Sequence, residues 1–320
     1  MTEPLEDIFP DSPDNQWMDN LMRFSHQAMA TVFEVVITQE EATYASQASQ
    51  AAFEELDRIE EQLSRFIPGS DIAQLNALQA GQWIYVSQTT LDCLLQARQI
   101  SQQTDGAFDV TVGPLFDCWH DADGFDLTPT DEQINTAKNQ TGIHLIAFNE
   151  EDCAVGVHTD TVKIDLGGIG KGFAVDQMIA ILRDWDIASA LVHGGQSSIY
   201  AYGSGQADKG WPVTISNPKN PDKIVEILHL RNQALSGSGM LSKGFHVINP
   251  RTGYPVRDRI TTWALAESAA QADALSTAFM IMSTQEIELL CRQHHQISAL
   301  VALPEEDDCK FKMFGTGFTP

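Results

Sequence analysis

The sequence predicts an α+β fold, with mixed and antiparallel sheets packed against helices. Three observations predict it. Short β-branched and apolar segments follow one another closely near 189–193, 197–202, 211–216 and 223–230, as in a run of hairpins. Helical periodicity appears only in separate stretches, so strands and helices do not alternate as a regular βαβ repeat. The 320 residues, 43% of them hydrophobic, are enough to bury a core without disulfide or metal staples.

The elements can be justified in order. Residues 1–22 carry Glu3, Glu6, Asp7, Asp11, Asp14 and Asp19 with Pro4, Pro10 and Pro13, the composition of a mobile acidic tail. Residues 23–320 are then the folded domain. Thr31–Thr38 is rich in β-branched residues and reads as a strand. Ala45, Ala48, Ala52, Leu56, Ile59, Leu63 and Phe66 recur at three- and four-residue steps, one apolar helix face closed by Pro68-Gly69. A second helix starts at the N-cap Ser87 and stops near Gly106. Val162–Leu166 reads as a short strand, followed by a glycine-rich turn and a helix from about Phe173 to Trp185. After the hairpin cluster come a strand near 260–266 and a helix from Ser268 to about Met282. A capping-box pattern at Ser283 and Glu286 opens another helix, and strands near 297–303 and 309–314 close the chain.

Charge narrows the function. With 44 Asp and Glu against 19 Lys and Arg, the net charge is -25, which disfavours nucleic acid and anionic lipid as partners. An anionic ligand would need metal, backbone N–H groups or lysine gathered at its site. The five cysteines are scattered without a C-x-x-C pair, so neither a disulfide framework nor a zinc site is expected. The opening MTEPLEDIFPDSPDNQ has neither a basic region nor an apolar run. No stretch approaches the roughly 18 apolar residues of a membrane span. The expected location is cytoplasmic, or periplasmic if a leader has been removed.

Three local patterns carry chemistry. Asp165-Leu-Gly-Gly-Ile-Gly-Lys-Gly172 joins a strand to a helix, where backbone N–H groups and Lys171 would favour phosphate. It fits neither the dinucleotide fingerprint nor the P-loop, so a tight packing turn explains it equally well. Asp273 and Thr277 stand one helical turn apart among Ala270, Ala272, Ala274, Leu275 and Ala278. A carboxylate there needs a partner, and hard cations take such oxygen ligands; a surface Asp beside an ordinary Thr is the plainer alternative. His246 precedes the turn Asn249-Pro-Arg-Thr-Gly253 and is suited either to general-base work or to a structural hydrogen bond.

In this order the motifs resemble the ApbE family of FAD:protein FMN transferases. Met29-Ala-Thr31 resembles its M-G-T, and Gly106-Ala-Phe-Asp-Val-Thr-Val-Gly-Pro-Leu115 its D-G-x-x-D-[IV]-T-V-G-P-L segment. Asp165 to Asp176 is similar to its glycine turn, and Val192-His-Gly-Gly195 and Trp211–Pro218 to two further stretches. Ser236-Gly-Ser-Gly239 with His246–Pro255, and Ala272-Asp-Ala-Leu-Ser-Thr277, resemble the remaining blocks. The resemblance spans roughly residues 24–315. It implies flavin bound between two lobes, with FAD as substrate and Mg2+ as cofactor. By position, Met29, Phe66, Ala107, Phe108, Asp109, Asp165 and Lys171 would contact FAD. The Gly168 carbonyl, Asp273 and Thr277 would hold Mg2+, and His246 would be catalytic. The implied reaction is transfer of FMN to a Thr or Ser hydroxyl of an acceptor flavoprotein, releasing AMP. An FAD-binding protein with little transfer activity, or slow cleavage of FAD to FMN and AMP, is the alternative. Of three departures, Ala30 for Gly would narrow a close-approach site, while Asn249 for Asp and the mere six residues between Gly239 and His246 bear on that choice.

Overall fold

A computed structural model describes residues 21–38, 41–121, 126–195, 197–205, 209–240, 247–306 and 308–318. The chain opens with the hairpin β1 (Leu21–Ala28) and β2 (Thr31–Thr38). Its two-residue turn puts Met29 and Ala30 at φ 50° and 58°, the positive values that a tight hairpin needs to match strand twist. Then come α1 (Ala42–Leu63), α2 (Asp71–Leu75), β3 (Trp83–Tyr85), α3 (Gln88–Gln103), α4 (Gly113–Trp119), α5 (Asp131–Asn139), β4 (Ile146–Asn149) and β5 (Ala154–Val157). The second half holds α6 (Gly170–Asp184), β6 (Ala190–Gly194), β7 (Ser198–Tyr202), β8 (Trp211–Asn217), β9 (Asn220–Leu230), β10 (Gln233–Gly239) and β11 (Thr261–Ala266). It ends with α7 (Ala269–Ile281), α8 (Thr284–Gln293), β12 (Ser298–Pro304) and β13 (Cys309–Phe314).

Eight strands form one antiparallel sheet in the order β1-β2-β6-β7-β10-β11-β12-β13. Strand alternation divides its side chains between two cores. Phe33, Val35, Ile37, Val192 and Ala234 face the layer built from α1, α6 and α7. Val36, Leu191, Ile199, Leu235 and Leu300 face the β8–β9 hairpin, which contributes Trp211, Val213, Ile215, Leu228 and Leu230. A smaller antiparallel sheet, β3-β5-β4, packs beside α2. The α+β expectation holds, and among the described residues every ladder is antiparallel.

The helix starts follow their caps. Ser87, Ser268 and Ser283 each accept a backbone N–H in the first turn of α3, α7 and α8, and Glu286 completes the box at Ser283. Cys93, Cys291 and Cys309 are buried and all five cysteines are free; burial pushes the Cys291 thiol up to about 12. Among the described residues no helix is long and apolar enough to cross a membrane.

Several expectations need correction. Leu21 and Met22, assigned to the tail, begin β1, an edge strand whose half-exposed pattern gives little apolar signal. Phe66 continues the spacing of α1 but lies beyond its end and is 79% exposed. Residues 162–166 are extended without joining a ladder. Instead the Asn76 side-chain amide bridges both backbone groups of Ile164, and the Asp165 N–H donates to the Val110 carbonyl. The helix expected from Phe173 starts at Gly170. Ser236–Gly239, to which the sequence assigned no element, lies within the central strand β10.

Candidate active site

The glycine turn and α7 meet where α6 begins. Gly172 lets them meet: a methyl group there would overlap the Ala269 carbonyl at the start of α7. Two carboxylates then clamp the crossing reciprocally. Asp273 of α7 accepts the Gly172 N–H of α6 at 3.1 Å, supplying a cap that Ile169 has no side chain to give. Asp176 of α6 accepts the Ala269 and Ala270 N–H groups of α7 at 2.7 and 2.8 Å. Burial pushes the Asp176 carboxyl up to about 6, while those N–H groups and Arg183 pull it down and Asp273 pushes it further up.

Asp273 is 2% exposed, so its charge must be met inside the protein. Besides Gly172, the Ser236 hydroxyl of β10 lies 3.1 Å from its Oδ1, and the Lys171 ammonium 3.8 Å from its Oδ2. Lys171 also reaches back to the Gly167 carbonyl at 3.3 Å. One turn along α7, Thr277 points its hydroxyl to the same place. A methyl group at Gly168 would stand 3.1 Å from Thr277 Oγ1 and 3.2 Å from the Phe108 ring, so a larger residue would crowd this cradle. Gly168, Asp273, Thr277, Lys171 and Phe108 are thus brought together. The oxygen-rich donor set, with a buried carboxylate, suits a hard divalent cation such as Mg2+. Among the described residues there is no cluster of three or more His, Cys, Asp or Glu to suggest a different metal site.

The flanks are built around this cradle. Asp165 accepts the Gly167 N–H at 2.8 Å and pairs with Arg65 at 3.4 Å. The Arg65 guanidinium lies 4.6 Å from the centre of the exposed Phe66 ring, leaving an aromatic surface beside the turn. Met29 is part-buried at the tip of the β1–β2 hairpin. Two further expected flavin contacts, Ala107 and Asp109, lie in the loop between α3 and α4. Ala107 is fully buried. The Asp109 carboxylate is committed to the Thr111 and Ile143 N–H groups and the Thr111 hydroxyl. Both residues flank Phe108 in that loop. His246 lies outside the described residues, as do 241–245.

The turn after His246 is firmly seated. Asn249 Oδ1 accepts the Arg251 N–H at 2.9 Å, an acceptor role that Asn fills as well as Asp. Arg251 bonds the Thr104 and Asp105 carbonyls at the end of α3 and the Glu286 carboxylate at the start of α8. The Trp119 indole donates to the Gly253 carbonyl. Asp176, Ser236, Ser238 and Arg251 carried no assigned role in the sequence. Asp176 alone had a usable signal: a carboxylate among Phe173, Ala174, Val175, Met178 and Ile179, the same anomaly that marked Asp273.

Comparison with known proteins identifies the family and the fold. The family model described as ApbE family matches residues 29–301. The FAD:protein FMN transferase of Vibrio cholerae serotype O1 is 27% identical over 306 residues, 90% of this chain and 89% of the relative. That of Haemophilus influenzae is 28% identical over 286 residues, 82% and 81%. The solved flavin transferase ApbE from Vibrio cholerae has a TM-score of 0.81 at 25% identity, covering 92% of this chain and 97% of that one. The apo flavinyl transferase ApbE of Pseudomonas stutzeri, at 23% identity and TM-score 0.82, covers 92% and 94% and shares the fold.

Proposed function

The chain belongs to the ApbE family, and from that premise we propose that it transfers the FMN half of FAD to a Thr or Ser hydroxyl of an acceptor flavoprotein, releasing AMP. The convergence of Asp273, Thr277 and Gly168 at the α6–α7 crossing, next to Lys171 and Phe108, carries this reading. A diphosphate approaching a protein of net charge -25 needs local compensation. Lys171 at the start of α6 supplies part of it. The Gly168 carbonyl and the Asp273 and Thr277 side chains would hold Mg2+. The chemistry such an ion supplies is charge neutralisation of the diphosphate and of the departing AMP.

The residues divide the remaining work. Phe66, stacked on Arg65, offers an apolar face to a planar ring, and Phe108 closes the cradle beside Gly168. His246 takes the proton of the acceptor hydroxyl as its oxygen bonds to the FMN phosphorus. The phosphorus–oxygen bond to AMP breaks in the same exchange, so the products are the FMN phosphoester and AMP. Arg251 and Asn249 hold the turn that follows His246.

Incubation with FAD, Mg2+ and an acceptor flavoprotein bearing the target Thr tests the reading. Mass spectrometry should find one FMN added to the acceptor, abolished in H246A. AMP release with no adduct on any acceptor would support hydrolysis instead. AMP release unchanged in H246A would remove His246 from either reaction.

A further inference from the structure

We propose that Ser238 is a positioning residue that turns the Thr277 lone pairs toward the metal cradle through a one-way chain of hydroxyl hydrogen bonds, a role that rests on the metal-dependent reading above. The direction follows from what each atom can do. Ser276 Oγ donates to the Asp273 backbone carbonyl at 2.8 Å, and a carbonyl can only accept. Its proton is therefore committed, so at the 2.8 Å contact with Ser238 it is Ser238 that donates. The Ser238 proton is then spent as well. At the 3.1 Å contact between Ser238 and Thr277, Thr277 must be the donor.

Thr277 thus sends its proton to β10 and keeps both lone pairs for the side facing Gly168. A neutral hydroxyl can ligate a cation only when its proton points elsewhere. The spacing of the elements makes the arrangement possible. Ser236 and Ser238 lie on one face of β10, roughly 6.6 Å apart at about 3.3 Å per strand residue. Asp273 and Thr277 are four residues apart on α7, roughly 6 Å at 1.5 Å per residue. The near match sets the two serines beside the two side-chain ligands in register: Ser236 Oγ, which also lies 2.7 Å from the Ser197 carbonyl, stands 3.1 Å from the Asp273 carboxylate, and Ser238 Oγ stands 3.1 Å from the Thr277 hydroxyl. In S238A the Thr277 proton loses its acceptor and competes with a lone pair for the opening.

The test titrates Mg2+ against FAD binding, followed by flavin fluorescence, in wild type, S238A, S238T, T277V and S238A/T277V. Thermal unfolding of each metal-free protein runs alongside. The half-saturating Mg2+ concentration should rise roughly tenfold or more in S238A, the size typical for partners of metal ligands. S238T, which keeps the hydroxyl, should return it toward wild type. Adding S238A to T277V should change it no further, because Ser238 acts through Thr277. Unchanged Mg2+ dependence in S238A, or an equal effect in the T277V background, overturns the role of Ser238 alone. Wild-type FAD binding that ignores Mg2+ overturns the metal reading and this role with it.

Discussion

At the scale of single residues, the site depends on what each polar atom has within reach. Asp273 and Asp176 are both carboxylates inside apolar helices, yet they are held differently. Asp273 has a lysine and a serine hydroxyl within reach, whereas Asp176 has only two backbone N–H groups and the distant charge of Arg183. Burial therefore pushes Asp176 up to about 6 from its ordinary 3.8. A folded state with the higher pKa binds the proton more tightly than the unfolded chain, so Asp176 contributes less stability as pH rises between those two values. The stability of wild type relative to D176N should fall by roughly 1 kcal/mol between about pH 5 and pH 7 and level off above. Denaturant unfolding of both proteins across that range measures it. A relative stability that is flat or rises with pH would contradict the account of Asp176.

At the scale of elements, the crossing of α6 and α7 is what turns separate sequence motifs into a site. Two glycines on α6 lie only two positions apart and should respond oppositely to a methyl group. At Gly170 the nearest atom would be Leu166 Cβ at 3.7 Å, an ordinary contact, whereas at Gly172 the Ala269 backbone stands in the way. G170A should be neutral or gain up to about 1 kcal/mol from helix propensity. G172A should cost about 3 kcal/mol or more as the helices are forced apart. Urea unfolding of the two variants checks the contrast; equal stabilities would show that the crossing is not tightly packed. Much of this element was legible beforehand, because the four-residue spacing of Asp273 and Thr277 needs only helical periodicity. The reciprocal capping was not, since it joins residues about a hundred positions apart and leaves no local pattern. β1 escaped notice because an edge strand alternates weakly, and β10 because its serines and glycines resemble a loop. Residues 162–166 misled in the opposite sense: their strand-like composition serves an extended segment paired with the Asn76 side chain.

At the scale of the whole molecule, one antiparallel sheet carries helices on one face and the β8–β9 hairpin on the other. The helix-covered face bears the site, and the sheet contributes to it through Ser236 and Ser238 at the centre of the strand order. Ala30 shows how the scales meet. It holds a left-handed conformation in the β1–β2 turn that costs an L-residue about 1 kcal/mol, and it is borne by a fold with ample buried core. The charge of -25 sets the requirement that the local site answers, gathering Lys171 and a cation cradle in one place. Anomalous diffraction from a crystal grown with FAD and Mn2+ tests this most directly. The ion should lie about 2.1 Å from oxygens of Asp273, Thr277 and the Gly168 carbonyl, with the FAD diphosphate on its open side. An ion bound elsewhere, or FAD seated with its diphosphate away from these three residues, would contradict the account.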